Sequence, residues 1–272
     1  MTKRSLTYLL ALLLVGATHS FAADSATVTA AVNQVTHGPA QSTASYPAKV
    51  GTQLGDGEYL KTGAASRAEM ELANKTITRL GANTIFNYSA STNTIDLQAG
   101  TFLFSKPKDA KQMTIKTAAV TAAIVGTTGF VQKHGNGFLI GLVEGSTTVT
   151  IGGVDYTIHA GELLTYTPGA PPQISSFDVP KFYHTSSFFK NYHGHLPNQS
   201  YIDQEIDIYN DLVDRGFIQP PSDPFYIYEP NGNVPTTPVV GHDSPGSALG
   251  DFNTPPPAPT CPYHYCCHYK ED

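Results

Sequence analysis

Residues 114–165 read TIKTAAVTAAIVGTTGFVQKHGNGFLIGLVEGSTTVTIGGVDYTIHAGELLT. Within this stretch, 146–151 and 154–159 flank Gly152-Gly153. A two-residue Gly-Gly loop suits a type I′ turn, in which both central residues take positive φ. That register pairs Ile151 with Val154, Val149 with Tyr156 and Thr147 with Ile158 on one face. Thr150, Asp155, Thr148, Thr157, Ser146 and His159 fall on the other. One apolar and one polar face is the pattern of a half-buried antiparallel pair.

A second hairpin precedes it, with arms at 129–133 and 138–143 around His134-Gly135-Asn136-Gly137. Here Phe138, Leu139 and Ile140 run together without alternation. The run suits a strand buried on both faces, or a short buried helix, since period alone does not separate the two.

Upstream, short alternating segments recur between turns: 50–54, 59–62, 68–72, 76–80, 84–88, 95–98, 101–105 and 113–117. A first strand with an irregular lead-in is expected in 24–47. Strands at this spacing without long helical periodicity predict an all-β domain. In 68–72, Met70 and Leu72 alternate with Glu69 and Glu71, which places both carboxylates on a solvent face. A weak internal echo links Leu97-Gln-Ala-Gly100, Leu142-Val-Glu-Gly145 and Ile158-His-Ala-Gly161. It fits stacked coils of a β-solenoid or the ordinary grammar of hairpins.

The chain has 272 residues, enough for one large or two modest domains. Its formal charge is -6 with no dense basic patch, so nucleic acid is not an expected partner. Thr2-Lys3-Arg4, an apolar stretch over 6–17 and Ser20-Phe21-Ala22 have the form of a signal peptide over residues 1–22, with cleavage after Ala22. The expected location is the periplasm or the exterior, with peripheral membrane contact compatible with it. Cys261, Cys266 and Cys267 lie together near the C-terminus, so no disulfide framework staples the body.

The region from Val50 to Thr165 resembles the FecR-like domain family, an extracytoplasmic module. The pieces that carry the resemblance are Val50-Gly-Thr-Gln-Leu-Gly-Asp56, Leu60-Lys-Thr-Gly63 and Ser66-Arg-Ala-Glu-Met-Glu-Leu72. Further along come Ile95-Asp-Leu-Gln-Ala-Gly100, Ile115-Lys-Thr-Ala-Ala-Val120, Ile124-Val-Gly-Thr127 before Phe130, Val143-Glu-Gly145 and Ala160-Gly-Glu162. Two departures stand out. Val125 occupies the place where the family usually has Arg before Gly-Thr. A signal peptide also stands where the best-known members carry a cytoplasmic anti-sigma segment and a membrane helix. The resemblance implies a FecR-type all-β domain, sandwich- or solenoid-like, over 23–165.

Beyond it, 166–218 reads as a Pro-containing linker, an aromatic segment with Phe182, Tyr183, Phe188, Phe189 and Tyr192, and a short helical appendage. Ile202, Ile206, Tyr209 and Val213 give one apolar stripe over a helix at 200–215. Ser200 is the expected N-cap, Asp203 would complete a capping box, and Gly216 sits where a C-terminal cap belongs. The stripe is expected to pack on the β-domain. Residues 219–272 hold Pro255-Pro-Pro-Ala-Pro259 and no sustained apolar period, and are expected to be a disordered tail with a Cys-rich end.

No catalytic, cofactor-binding or metal-binding residue is assigned. Cys261, His264, Cys266, Cys267 and His268 are types that hold soft or borderline metals. Their spacing, however, does not match a paired Cys-x-x-Cys site. Disulfides, metal ligation and free thiols all stay open for these cysteines. His193-Gly-His195 is expected in a solvated loop. Asp56, Glu58, Glu69 and Glu71 include a carboxylate pair, but exposed carboxylates make poor general acids. A hydrolase would need a deep pocket with buried carboxylates of raised pKa. The expected role is therefore a non-enzymatic interaction module of the bacterial cell envelope, without cofactor, facing an envelope protein or a cell-wall glycan. The alternative is a structural or surface-attached protein anchored or cross-linked through its Cys-rich tail.

Overall fold

The computed structural model describes residues 26–221 apart from 41, 118 and 119. The expected signal peptide, the cysteines and nearly all of the Pro-rich tail lie outside the described residues. The strands are β1 (Ala26–Val32), β2 (Val35–Pro39), β3 (Tyr46–Pro47), β4 (Gln53–Leu54), β5 (Glu58–Thr62), β6 (Arg67–Glu71), β7 (Ile77–Leu80), β8 (Ile85–Ser89), β9 (Thr94–Ser105), β10 (Met113–Lys116), β11 (Val120–Ile124), β12 (Thr128–His134), β13 (Gly137–Glu144), β14 (Ser146–Ile151), β15 (Val154–His159), β16 (Glu162–Tyr166) and β17 (Gln173–Ser176). Two helices follow, α1 (Val179–Thr185) and α2 (Gln199–Asp214). The chain is mainly β, as its alternation predicts.

The strands form two halves that share β9. Sheet A runs β4-β1-β6-β7-β9-β12-β13-β16-β17, antiparallel throughout. Sheet B runs β3-β2-β5-β8-β9-β10-β11-β14-β15, antiparallel except for the parallel β9–β10 pair. The chain visits the two in turn. The β6–β7, β12–β13 and β16–β17 hairpins belong to sheet A, and β10–β11 and β14–β15 to sheet B. The inner faces share one apolar core, with Phe102, Phe104, Val131, Ile140 and Leu142 from sheet A against Phe86, Ile115, Val149 and Ile158 from sheet B. Phe86 meets Phe102 edge-on, with ring centroids 5.2 Å apart. This is a sandwich whose strands are linked corner by corner.

The hairpin at 146–159 keeps the expected register, Ile151 opposite Val154 and Thr147 opposite Ile158. Gly152 and Gly153 have φ of 58° and 85°. The earlier hairpin closes more tightly than its sequence suggests, since His134 pairs with Gly137 across a two-residue turn. The unalternating run 138–143 is a strand buried on both faces. Phe138, Ile140 and Leu142 enter the sandwich core, while Leu139 and Val143 belong to a second cluster.

The three echoing glycines have a common structural meaning. Gly100, Gly145 and Gly161 have φ of 88°, 83° and 77°. Each stands where the chain crosses between the sheets: midway along β9, from β13 to β14, and from β15 to β16. The last two corners stack, because Ala160 N donates to Gly145 O and Gly161 N to Leu142 O. The segments 95–98 and 101–105 are accordingly one strand, bent at Gly100.

Residues 177–209 form a third layer on the outer face of sheet A. Phe177, Val179, Phe182, Phe188, Leu196, Ile202 and Ile206 pack on Leu103, Phe130, Leu139, Val143 and Leu163. Each such large side chain stabilises the fold by about 1.5–3 kcal/mol relative to exposure. The packing expected of the apolar stripe on α2 is therefore present, through Ile202, Ile206 and Tyr209. At its end Gly216 N donates to Val213 O and Phe217 N to Leu212 O, the two bonds of a Schellman cap, with Gly216 at φ 73°. Part of the linker-like stretch is structured, for β17 pairs with β16 in sheet A.

Candidate functional site: a sealed face and an open face

Sheet A's outer face is closed by two polar clusters that bracket the apolar layer. The first centres on Arg79 of β7, only 3% exposed. Its Nε donates to Glu69 Oε2 at 2.7 Å, Nη1 to Phe188 O at 2.7 Å and Nη2 to Gly194 O at 3.1 Å. Glu69 also accepts from Thr29 Oγ1 at 2.7 Å. The guanidinium lies 4.2 Å from the Tyr192 ring centroid, and Arg67 lies 5.6 Å from the same ring. Burial pushes the Tyr192 phenol well above its ordinary pKa, against the pull of the two arginines.

This cluster corrects the expectation for Glu69. Alternation with Met70 placed it in solvent, yet it is 6% exposed. The alternation is real, but the face it points to is covered by residues 188–194, which arrive much later in the chain. Glu71 stays on the rim, paired with Lys75 Nζ at 2.7 Å.

The second cluster centres on Glu144, the last residue of β13, 1% exposed. Its Oε2 accepts from Lys108 Nζ at 2.8 Å and its Oε1 from Asn198 Nδ2 at 2.6 Å. Thr128 Oγ1 approaches Oε1 at 3.3 Å. Asn198 Nδ2 also donates to Lys106 O at 2.8 Å. Burial raises the Glu144 pKa, and the bonds from Lys108, Asn198 and Thr128 oppose the rise. On α2, Glu205 is raised to about 7, first by burial and then by the charge of Glu144. Burial lowers the Lys106 amine, whose Nζ donates to Pro107 O and Ala110 O.

The N-cap of α2 differs from expectation for the same reason. Asn198, not Ser200, stands at the cap, and it makes no side-chain capping bond because its amide reaches Glu144 and Lys106. Asp203 accepts from Gln199 Nε2 rather than completing a capping box.

Sheet B presents the contrasting face. Asn87, Asp96, Lys116, Thr121, Thr150 and Asp155 stand opposite one another in register from β8 to β15. A parallel row runs Ser89, Thr94, Thr114, Ala123, Thr148 and Thr157. These side chains are half-buried or exposed. Thr150 Oγ1 donates to Asp155 Oδ1 at 2.7 Å. The result is a broad polar face of hydroxyls, an amide and a few charges.

The other residues weighed from the sequence are dispersed. His193 and His195 are exposed on the connection between the helices. Among the described residues no group of three or more His, Cys, Asp or Glu could hold a metal. Asp56 is exposed, and the hydroxyls of Ser91 and Ser89 lower its pKa. Glu58 accepts from Gly55 N and faces His37 at 3.7 Å. Val125, at the position where the resemblance expects Arg, is 59% exposed just before the corner at Gly126.

Residues 58–148 match the family model described as FecR protein. This stretch is a FecR domain. The FecR match takes in Glu69, Arg79, Lys108 and Glu144, the sheet side of both polar clusters. Tyr192, Asn198 and Glu205, which close those clusters from above, lie outside it. Two crystal structures of a proposed anti-sigma factor from Parabacteroides distasonis ATCC 8503 are similar to 45% of this chain. They share 13% identity with it at a TM-score of 0.42. The similarity takes in 61% of those chains, less than two thirds of their length. No curated protein matches the chain. Among the described residues no helix is long and apolar enough to cross a membrane.

Proposed function

We propose that this chain is a non-enzymatic, extracytoplasmic interaction module of the bacterial cell envelope that recognises a protein partner through the open face of sheet B. The FecR domain supports the class. The observation that carries the surface is the asymmetry of the sandwich: the outer face of sheet A is occupied by the chain's own helices, and among the described residues none covers the outer face of sheet B. A rigid sheet with registered rows of Thr, Asn, Asp and Lys offers hydrogen-bonding groups at fixed spacing. Arg79, Asn198 and Glu144 hold the third layer through buried hydrogen bonds, which suits a scaffold.

The test is capture from envelope extract by residues 23–272, by residues 23–218, and by a Thr121→Arg/Thr150→Arg variant of each. Capture of one identifiable protein by both lengths, lost in the double variant, is the expected result. Capture that needs residues 219–272 and disappears on reduction would replace this reading with attachment through the Cys-rich tail. Retention of a cell-wall glycan by the same face, with no protein partner, would keep the surface and change its ligand.

A further inference from the structure

Two groups of complementary chemistry converge at Glu144. Lys108 offers a primary amine from the loop between β9 and β10, and Asn198 offers a carboxamide from the start of α2. The two oxygens of one carboxylate hold them, at 2.8 Å and 2.6 Å. The amine and the amide are therefore neighbours across a single proton-transferring group, within the reach that general acid–base catalysis requires. We propose that Lys108 and Asn198 become joined by an isopeptide bond under catalysis by Glu144, fastening α2 covalently to the FecR domain.

The step balances without any co-reactant. Glu144 takes a proton from the Lys108 ammonium, and the freed Nζ lone pair attacks Asn198 Cγ. A C–N bond forms to Nζ and the bond from Cγ to Nδ2 breaks. Nδ2 departs with the protons released from Nζ as ammonia, which leaves as ammonium. Glu144 returns to its starting state after passing the proton to the leaving nitrogen.

Several features outside the reaction fit it. Asn198 stands at a helix N-cap yet leaves the cap unmade, turning its amide under the helix toward Glu144. A second bond from Nδ2, to Lys106 O, fixes the orientation of the carboxamide. The Lys108 amine is further placed by Tyr201 of α2, 4.6 Å from its ring centroid. Burial raises the pKa of Glu144, which helps a carboxyl to carry a proton between two nitrogen groups. The Lys108 side chain is 34% exposed, so ammonia has a route out and its loss drives the exchange forward. The buried Lys106 amine is a poorer candidate, because it is bound to carbonyls of its own loop. Holding the partners in one geometry supplies the entropic advantage that makes amide exchange feasible in water.

The test is mass spectrometry of the full chain, denatured and reduced, with its N-terminus determined. The expected mass is below the sequence mass by one ammonia, and digestion should yield a branched peptide joining Lys108 to Asn198. Glu144→Gln and Lys108→Arg should both show the full sequence mass. Lys108→Arg retains a cation beside Glu144, so a folded variant separates the covalent role from the ion pair. Recovery of Lys108 and Asn198 in separate linear peptides overturns the proposal. So does an ammonia deficit without the branched peptide, or a link that starts from Lys106.

Discussion

Phe130 on β12 lies directly opposite Gly141 on β13, and its ring fills the space that a side chain at 141 would need. A β-carbon on Gly141 would stand 2.7 Å from Phe130 Cε1. The same ring is the base on which the third layer rests, with its centroid 4.6 Å from Phe182 and 5.5 Å from Phe177. The absence of a side chain at 141 thus sets how the helices sit on the sheet. Gly141→Ala is expected to lift the ring and destabilise the fold by ~1–3 kcal/mol, the range for overpacking a core. Urea unfolding measures the loss, and limited proteolysis should show earlier cleavage within 177–214. An unchanged midpoint would mean that the ring can move aside freely.

The Arg79–Glu69 pair gives a second prediction. A buried ion pair contributes little net stability, yet removing one partner strands the other. Arg79→Met leaves Glu69 with Thr29 as its remaining donor and frees the carbonyls of Phe188 and Gly194. The expected loss is ~3–5 kcal/mol, with the Arg79→Met/Glu69→Leu double variant recovering a large part of it. Chemical denaturation of the single and double variants decides the matter. Equal losses in both would show that the carbonyl contacts, not the stranded carboxylate, dominate.

Glu205 supplies a pH dependence whose sign is fixed by its environment. Its carboxyl is raised from 4.5 to about 7 in the folded protein, mainly by burial. Below the unfolded pKa both states are protonated and the group contributes nothing to the balance. As pH rises from 4.5 through 7 the unfolded chain ionises first, so folding loses stability across that window. Glu205→Gln should abolish this part of the slope. The variant should gain thermal stability over the parent at pH 8 and differ little at pH 4. A parent and variant with parallel profiles would refute the assignment.

What the sequence reveals and what it hides follow from the range of the contacts involved. The 146–159 hairpin is legible because alternation and Gly-Gly act within a few residues. The double burial of 138–143 is legible because a strand between two apolar layers has nowhere to place a polar side chain. Gly100, Gly145 and Gly161 announce themselves as an echo, although only the structure shows that the echo marks crossings between sheets. Glu69 misleads, since its alternation with Met70 gives the face correctly but cannot say that residues 188–194 cover it. The cluster at Glu144 draws Lys108 from the loop between β9 and β10, and Asn198 and Glu205 from α2, across long stretches of sequence with no fixed spacing, so no local pattern announces it. The amide of Asn198 is spent on that cluster, which is also why the N-cap expected at Ser200 is absent.

The corners permit a comparison between two glycines that share a backbone conformation and differ in surroundings. Gly100 and Gly152 both have positive φ, 88° and 58°. An alanine at either is strained by ~1–2 kcal/mol. At Gly152, the tip of the 146–159 hairpin, the added β-carbon meets nothing within 4 Å, so the strain is the whole cost. At Gly100 it would stand 2.5 Å from Thr84 Cα and 2.8 Å from Asn83 O, both backbone atoms of the neighbouring corner. Thr84 cannot retreat easily, because its hydroxyl donates to Thr101 O and its amide donates to Thr62 Oγ1. Gly100→Ala is therefore expected to add ~1–3 kcal/mol of overpacking to the strain. Gly152→Ala should unfold at a moderately lower urea concentration than the parent, and Gly100→Ala at a lower one still. If the two variants lose the same amount, the corners are not stacked tightly enough to select glycine, and the echo would reflect conformation alone.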